Sequence, residues 1–136
     1  MKKLIFIFIA ISFLLFSEEN VVFLIDENYP PYSYLEGEKI KGIYPDILSI
    51  VDKNLKEFKI ILKPVPWNRA LKMIELGQAD YITDVWYRPN DRPYLNYSVP
   101  IIDEEIVIVS KNGDGKKWPN DFKGKIIGIN RGFAVF

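Results

Sequence analysis

The residues best equipped for chemistry sit in three short stretches. Asp26-Glu27-Asn28-Tyr29-Pro30-Pro31-Tyr32 sets a carboxylate three residues ahead of a ring held on a stiff double-proline loop. Pro64-Val65-Pro66-Trp67 offers a second ring beside prolines, and Tyr87-Arg88-Pro89-Asn90-Asp91-Arg92 supplies two guanidinium groups. A ring on a rigid loop loses little entropy when it meets a ligand and presents a flat apolar wall, so this is the chemistry of holding a small molecule. Bond-making chemistry has less to work with. The chain has no His and no Cys, which excludes Ser–His–Asp and Cys–His catalysis and the usual zinc ligand sets. Neither Asp80 nor the Glu104–Glu105 pair lies in a carboxylate spacing that suits a metal, and no cofactor is implied. Each candidate also has an ordinary structural reading. Tyr29 can pack over a sheet edge, Trp67 can cover core at a helix start, Asp26 can form a turn, and an arginine can be a solvated surface group.

The elements that must position these stretches follow from periodicity. Val21 to Ile25 is apolar on both faces and predicts a buried strand, parallel to its neighbours. Leu35 to Lys39 predicts a hairpin-like turn. After Gly42, Ile47, Leu48, Val51 and Leu55 recur at helical intervals, with Pro45 suited to the first turn. Lys59 to Val65 predicts a second strand. Trp67 to Leu76 predicts an amphipathic helix with Ala70, Leu71 and Ile74 inward and Gly77 ending it. Asp80, expected to cap and bond local backbone, leads into strand Tyr81-Ile82-Thr83. The β-α-β-α-β order predicts a parallel sheet with right-handed crossovers, whose ligands sit outside the carboxyl ends of the strands. That brings the loops after Ile25, Val65 and Thr83 around one site. Further on, Tyr97 to Pro100 reads as extended, Ile106 to Val109 as a buried strand, Asn112 to Gly115 as a turn and Lys125 to Asn130 as another strand. Arg131-Gly132 reads as a helix entry.

The first residues are of a different kind. Lys2 and Lys3 precede an apolar run from Leu4 to Phe16, interrupted by Ser12 alone, and Glu18-Glu19-Asn20 ends it. Thirteen residues suit a signal-peptide core and fall short of the roughly 20 a spanning helix needs. Ser17 is the best cleavage position, although Leu15 fits it poorly. Without Cys there is neither a disulfide nor a lipid-anchoring thiol, so a free protein in a Gram-negative periplasm is expected. Over all 136 residues the composition is 49% apolar, a figure the leader inflates, and 26% charged, that of a globular chain with room for about one domain. Net charge is zero and becomes −2 on removal of the leader, which argues against a nucleic-acid partner.

Four pieces in order, YPPYSYLEGEKIKGIYPDIL, PVPWNRALKMIELGQAD, RPNDRPYLNYSVP and DFKGKIIGINRGF, resemble bacterial extracellular solute-binding proteins of family 3, the receptors of polar amino-acid ABC transporters. The resemblance covers most of residues 21–133. It implies an α/β, periplasmic-binding-protein-like fold: a first lobe with a parallel sheet flanked by helices, and a second lobe truncated here. The organisation expected is a signal peptide at 1–17, the N-terminal part of lobe I at 18–104, a hinge strand at 105–110 and the start of lobe II at 111–136. It also implies capture of a small polar solute such as an amino acid, handed by a monomeric receptor to an ABC transporter permease. Relatives sharing the fold are dehydratases, domains associated with lytic transglycosylases and ligand-sensing domains of signalling receptors, which stand as alternatives.

By the same resemblance the ligand-binding residues are Asp26, Tyr29, Trp67, Tyr87 and Arg92. Tyr29 and Trp67 would form opposite walls, Asp26 would face ligand polar groups, and Arg92 would hold a ligand carboxylate through its bidentate fork. Counted forward from Asp80, Arg92 falls at the family position; counted back from Ser98 it is one residue too close, which leaves Arg88 as runner-up. Two departures point away from an ordinary α-amino acid. Tyr87 stands where the family often has a threonine, and Phe133 where it often has a small hydroxyl residue.

Overall fold

A computed structural model describes residues 19–107, 109, 115–129 and 133. The signal-peptide reading of 1–17, residues 112–114 of the second turn and the Arg131-Gly132 helix entry lie outside the described residues. The chain divides into two units, one ending at Val85 and the other starting at Trp86.

The first unit is built on a parallel sheet. Strand β1 (Glu19–Asp26) is followed by a small antiparallel sheet of β2 (Asn28–Tyr29), β3 (Ser33–Glu36) and β4 (Lys39–Lys41). Helix α1 (Ile43–Asn54), strand β5 (Phe58–Val65), helix α2 (Trp67–Glu75) and strand β6 (Tyr81–Ile82) complete it. β1 is the central strand, parallel to β5 on one side and β6 on the other. That central place is why Val21 to Ile25 is apolar on both faces. The register runs from Glu19 opposite Phe58 to Asp26 opposite Val65. The two crossovers leave in opposite directions along the sheet, so right-handed connections put α1 and α2 on opposite faces.

The core lies under α2. Leu24, Val65, Ala70 and Met73 are buried together, with Val22, Ile74, Ala79 and Ile82 packed against them. Ala70 is fully buried, small enough to let the helix backbone come close to the strands. Gly77 follows the helix in the left-handed region at φ 66° and returns its N–H to Ile74 O at 3.0 Å, as expected of a helix-ending glycine. Asp80 is structural, but not through local backbone. Its Oδ2 accepts Val22 N–H at 2.8 Å, tying the entry of β6 to β1.

Helix α1 is less deeply seated than its periodicity predicts. Pro45 in the first turn and Leu48 are buried, whereas Val51 and Leu55 are exposed, and Leu55 lies just past the helix end. The helix rests on β5, β3 and β4, and its last turn is tied to β5 by Asp52 Oδ1, which accepts Ile60 N–H at 2.8 Å. Gly42 opens it at φ 126°, and a Cβ there would stand 2.3 Å from Tyr32 O, so only glycine fits between helix start and loop.

The second unit has little regular structure among its described residues. A turn carries Arg88 to Leu95, with Arg92 N–H bonded to Arg88 O at 3.0 Å and Leu95 N–H to Arg92 O at 3.1 Å. A single 3-10 turn spans Asn120–Phe122, steadied by Asp121 Oδ2 accepting Lys117 N–H at 2.8 Å. Within the stretches expected to be strands, 106–109 and 125–130, the described residues lie in no strand, and Ile106, Val107, Val109, Ile126 and Ile129 are exposed; Ile108 lies outside the described residues. An apolar run becomes a strand only where an edge receives it, and none of the described residues pairs with these. Asn130 lies outside the described residues.

Candidate functional site

Three parallel strands deliver their carboxyl ends to one edge of the first unit. β1 ends in Asp26, β5 runs through Pro66 into Trp67, and β6 is followed by Thr83 and Asp84. Asp26 is buried. Its Oδ1 accepts Asn28 N–H at 3.0 Å, closing the turn that starts the Tyr29 loop. Burial raises its carboxyl above the ordinary range, while the amides of Asn28 and Glu27 pull the other way.

Tyr29 ends β2 half-buried, and its ring lies against that of Tyr32 with centroids 4.9 Å apart at 35°. The two prolines between them are joined by a cis bond. Helix α1 holds this loop from one side, where Ile43 and Tyr44 donate to Pro31 O at 3.1 Å and Tyr32 O at 3.0 Å. Ser33, fully buried, holds it from the other. Trp67 opens α2 and is buried, with 8% of its surface exposed.

Asp84 is a member of this edge that the sequence did not disclose. It is the one non-glycine residue at positive φ, 63°, among the described residues, and it is buried. Its Oδ2 lies 2.5 Å from Ser33 Oγ and 3.1 Å from Thr83 Oγ1, and its Oδ1 is buried with no hydrogen-bond partner among the described residues. Loss of hydration pushes its carboxyl up to about 6; the nearby Asp26 charge adds to the rise, while the Ser33 and Thr83 hydroxyls and the Asp26 amide oppose it. The signal that could have found it is its place, one residue beyond a strand predicted to end at the ligand edge. Nothing in its neighbours' types marks it out.

Tyr87 and Arg92 belong to the second unit. Tyr87 is largely exposed, its ring meeting Tyr97 edge-on at 5.0 Å. Arg92 is buried, with 7% of its surface exposed. Arg88 pairs with Asp91 at 3.5 Å, both drawn into the same turn. A shallow depression elsewhere in this unit is lined by Trp118, Pro119, Asn120, Phe122, Lys123 and Ile127. Among the described residues no group of three acidic, His or Cys side chains is placed to hold a metal ion. No helix among them is long and apolar enough to cross a membrane.

A parallel sheet with helices on both faces and polar and aromatic side chains at its carboxyl edge defines a small-molecule-binding α/β lobe. The sequence model of bacterial extracellular solute-binding proteins, family 3, matches residues 21–131, and the chain belongs to that family. The fold is that of a periplasmic-binding-protein-like lobe, and the role that goes with the family is solute binding. The family is in general not enzymatic and is typically extracellular or periplasmic. A search of curated proteins gave no match.

Proposed function

We propose that the chain is an exported receptor that captures a small polar solute, of the amino-acid kind, and presents it to the permease of an ABC importer. The observation that carries this reading is the carboxyl edge of the sheet. There, Asp26 and the Tyr29–Tyr32 ring pair follow β1 directly, on a loop held from two sides. A preorganised aromatic wall beside a carboxylate suits a compact ligand with an apolar body and a cationic or hydrogen-bonding head. Arg92 is the proposed holder of a ligand carboxylate, with Arg88 as runner-up by spacing. Trp67 and Tyr87 complete the proposed contacts. Because Tyr87 is a bulky phenol on the same turn as Arg92, the solute expected is more aromatic or less polar than an ordinary α-amino acid.

Capture rather than turnover is the reading for the two carboxylates. Asp26 and Asp84 are both buried and bonded to backbone or hydroxyl groups of the strand ends and the loop, which suits a role in shaping the edge.

Titration calorimetry against amino acids, aromatic carboxylates and small amines tests the proposal. One of these should bind, and Arg92→Ala should then weaken it by about 1.5–3 kcal/mol, as for a hydrogen bond to a charged group. An Arg92→Ala protein that binds like the wild type, with Arg88→Ala impaired, would move the carboxylate contact to Arg88. Silence across all three classes would sink the receptor reading.

A further inference from the structure

Ser33 has one hydroxyl proton and two oxygen neighbours that can accept it. Asp26 O lies at 2.8 Å and Asp84 Oδ2 at 2.5 Å. If Asp84 is ionised, the proton must choose, and one of two buried contacts becomes oxygen against oxygen with nothing between them. If Asp84 is a neutral acid, both contacts are satisfied in series: Asp84 donates to Ser33 Oγ, and Ser33 donates to Asp26 O. Thr83 Oγ1, between Leu24 O at 3.4 Å and Asp84 Oδ2 at 3.1 Å, adds a second hydroxyl that donates to one or the other.

We propose that Asp84 is a proton-carrying clasp, which as a neutral acid fastens Ser33, and with it the Tyr29–Tyr32 loop, to the carboxyl edge of the sheet, and as a carboxylate releases it. The loop's other fastening, to the first amides of α1, carries no titrating group, so the sheet side is where pH acts.

Burial and the Asp26 charge favour the neutral form of Asp84, against the Ser33 and Thr83 hydroxyls and the Asp26 amide, which favour the carboxylate. From β1 the charged neighbour is the Asp26 carboxylate, which repels a second negative charge. From the β2–β3 loop Ser33 offers a hydroxyl, and Thr83 beside Asp84 offers another; both carry no charge, and burial outweighs their pull toward the carboxylate. Helix α2, packed on β6, turns Ala70 and Met73 inward and leaves Arg69, Lys72 and Glu75 exposed. The carboxyl of Asp84 is accordingly pushed up to about 6. Since the unfolded value lies lower, the clasp is whole below about pH 4 to 5 and is lost as pH rises through about 6. Asp84 is thus a positioning residue for the loop that the proposed receptor role uses, and the inference rests on that role only for its significance.

Carbon-13 NMR of the side-chain carboxyls of the 136-residue chain, followed from pH 3.5 to 8.5, reads the clasp directly. The Asp84 signal should titrate with a midpoint near 6, and the Ser33 amide and the Tyr29 and Tyr32 ring signals should move with the same midpoint. A midpoint near 4, or loop signals that ignore the Asp84 titration, would overturn the proposal. Asp84→Asn supplies a second reading. An amide can donate to both Ser33 Oγ and Thr83 Oγ1 at every pH, so its melting temperature should stay level from pH 5 to 7.5 while the wild type declines. Equal slopes in the two proteins would also overturn the proposal. Neither measurement uses a solute, so a failure to bind solutes would count against the receptor role alone.

Discussion

At the scale of single residues the site is governed by two buried carboxylates with unequal support. Asp26 is held by the Asn28 amide on a turn, whereas Asp84 has one oxygen buried without a partner among the described residues. A rise from 3.8 to about 6 corresponds to about 3 kcal/mol of folding stability present at pH 4 and gone by pH 7. The sign follows from proton counting: between those values the folded state binds more protons than the unfolded one, so stability falls as pH rises. Asp26 contributes to the shift by its charge, but burial contributes more. Asp26→Asn keeps an acceptor for Asn28 N–H and removes the charge. The Asp84 midpoint should therefore drop below about 6 in that variant and stay above the ordinary carboxylate value, as read by the same carboxyl NMR. A midpoint unmoved by the substitution would show that the two carboxylates do not sense each other.

At the scale of elements, the close fit between helix and loop makes its own prediction. Gly42 combines positive φ with a Cβ site 2.3 Å from Tyr32 O, so Gly42→Ala must displace either α1 or the tyrosine loop. Roughly 2–4 kcal/mol should be lost in urea unfolding. Gly37, also at positive φ but facing open space, should lose only about 1 kcal/mol as alanine. Equal losses would mean that the contact at Gly42 relaxes without cost. The same elements show what was legible beforehand. The strands β1 and β5, both helices and the helix-ending Gly77 were readable because a buried period and a turn residue coincide at each. Asp84 was not, since its burial depends on Ser33, which lies 51 residues earlier and reaches it only through the β2–β3 pairing. At 106–109 and 125–130 the described residues are in no strand for a related reason: β-branched runs announce strand propensity, and pairing is decided by an edge elsewhere in the chain. Asp26, Tyr29 and Trp67 were correctly assigned to the ends of parallel strands or the turns after them. How each touches a solute was never written in local sequence.

At the scale of the whole chain, the two units should differ in how they open. The first places β1 between two parallel strands and buries Leu24, Ile25, Val65 and Ala70. The second leaves Val99, Ile101, Val107 and Ile126 exposed and carries a single 3-10 turn as its regular structure among the described residues. Local opening free energy follows buried contact and protected hydrogen bonding, so amides from Val22 to Ile25 should exchange roughly a hundredfold or more slower than those from Tyr97 to Val107. Exchange measured by mass spectrometry on peptides from each unit checks this, and uniform protection would contradict it. A bound solute changes the pattern in a specific way. At about 100 times its Kd it stabilises the binding-competent state by about 2.7 kcal/mol, wherever its contacts are. If Arg92 holds the solute, protection should rise in residues 88–95 together with the Tyr29 loop, and Arg92→Ala should abolish the rise in both stretches. A rise confined to the Tyr29 loop would instead describe a ligand held by the ring pair and Asp26 alone, with the arginine turn taking no part in capture.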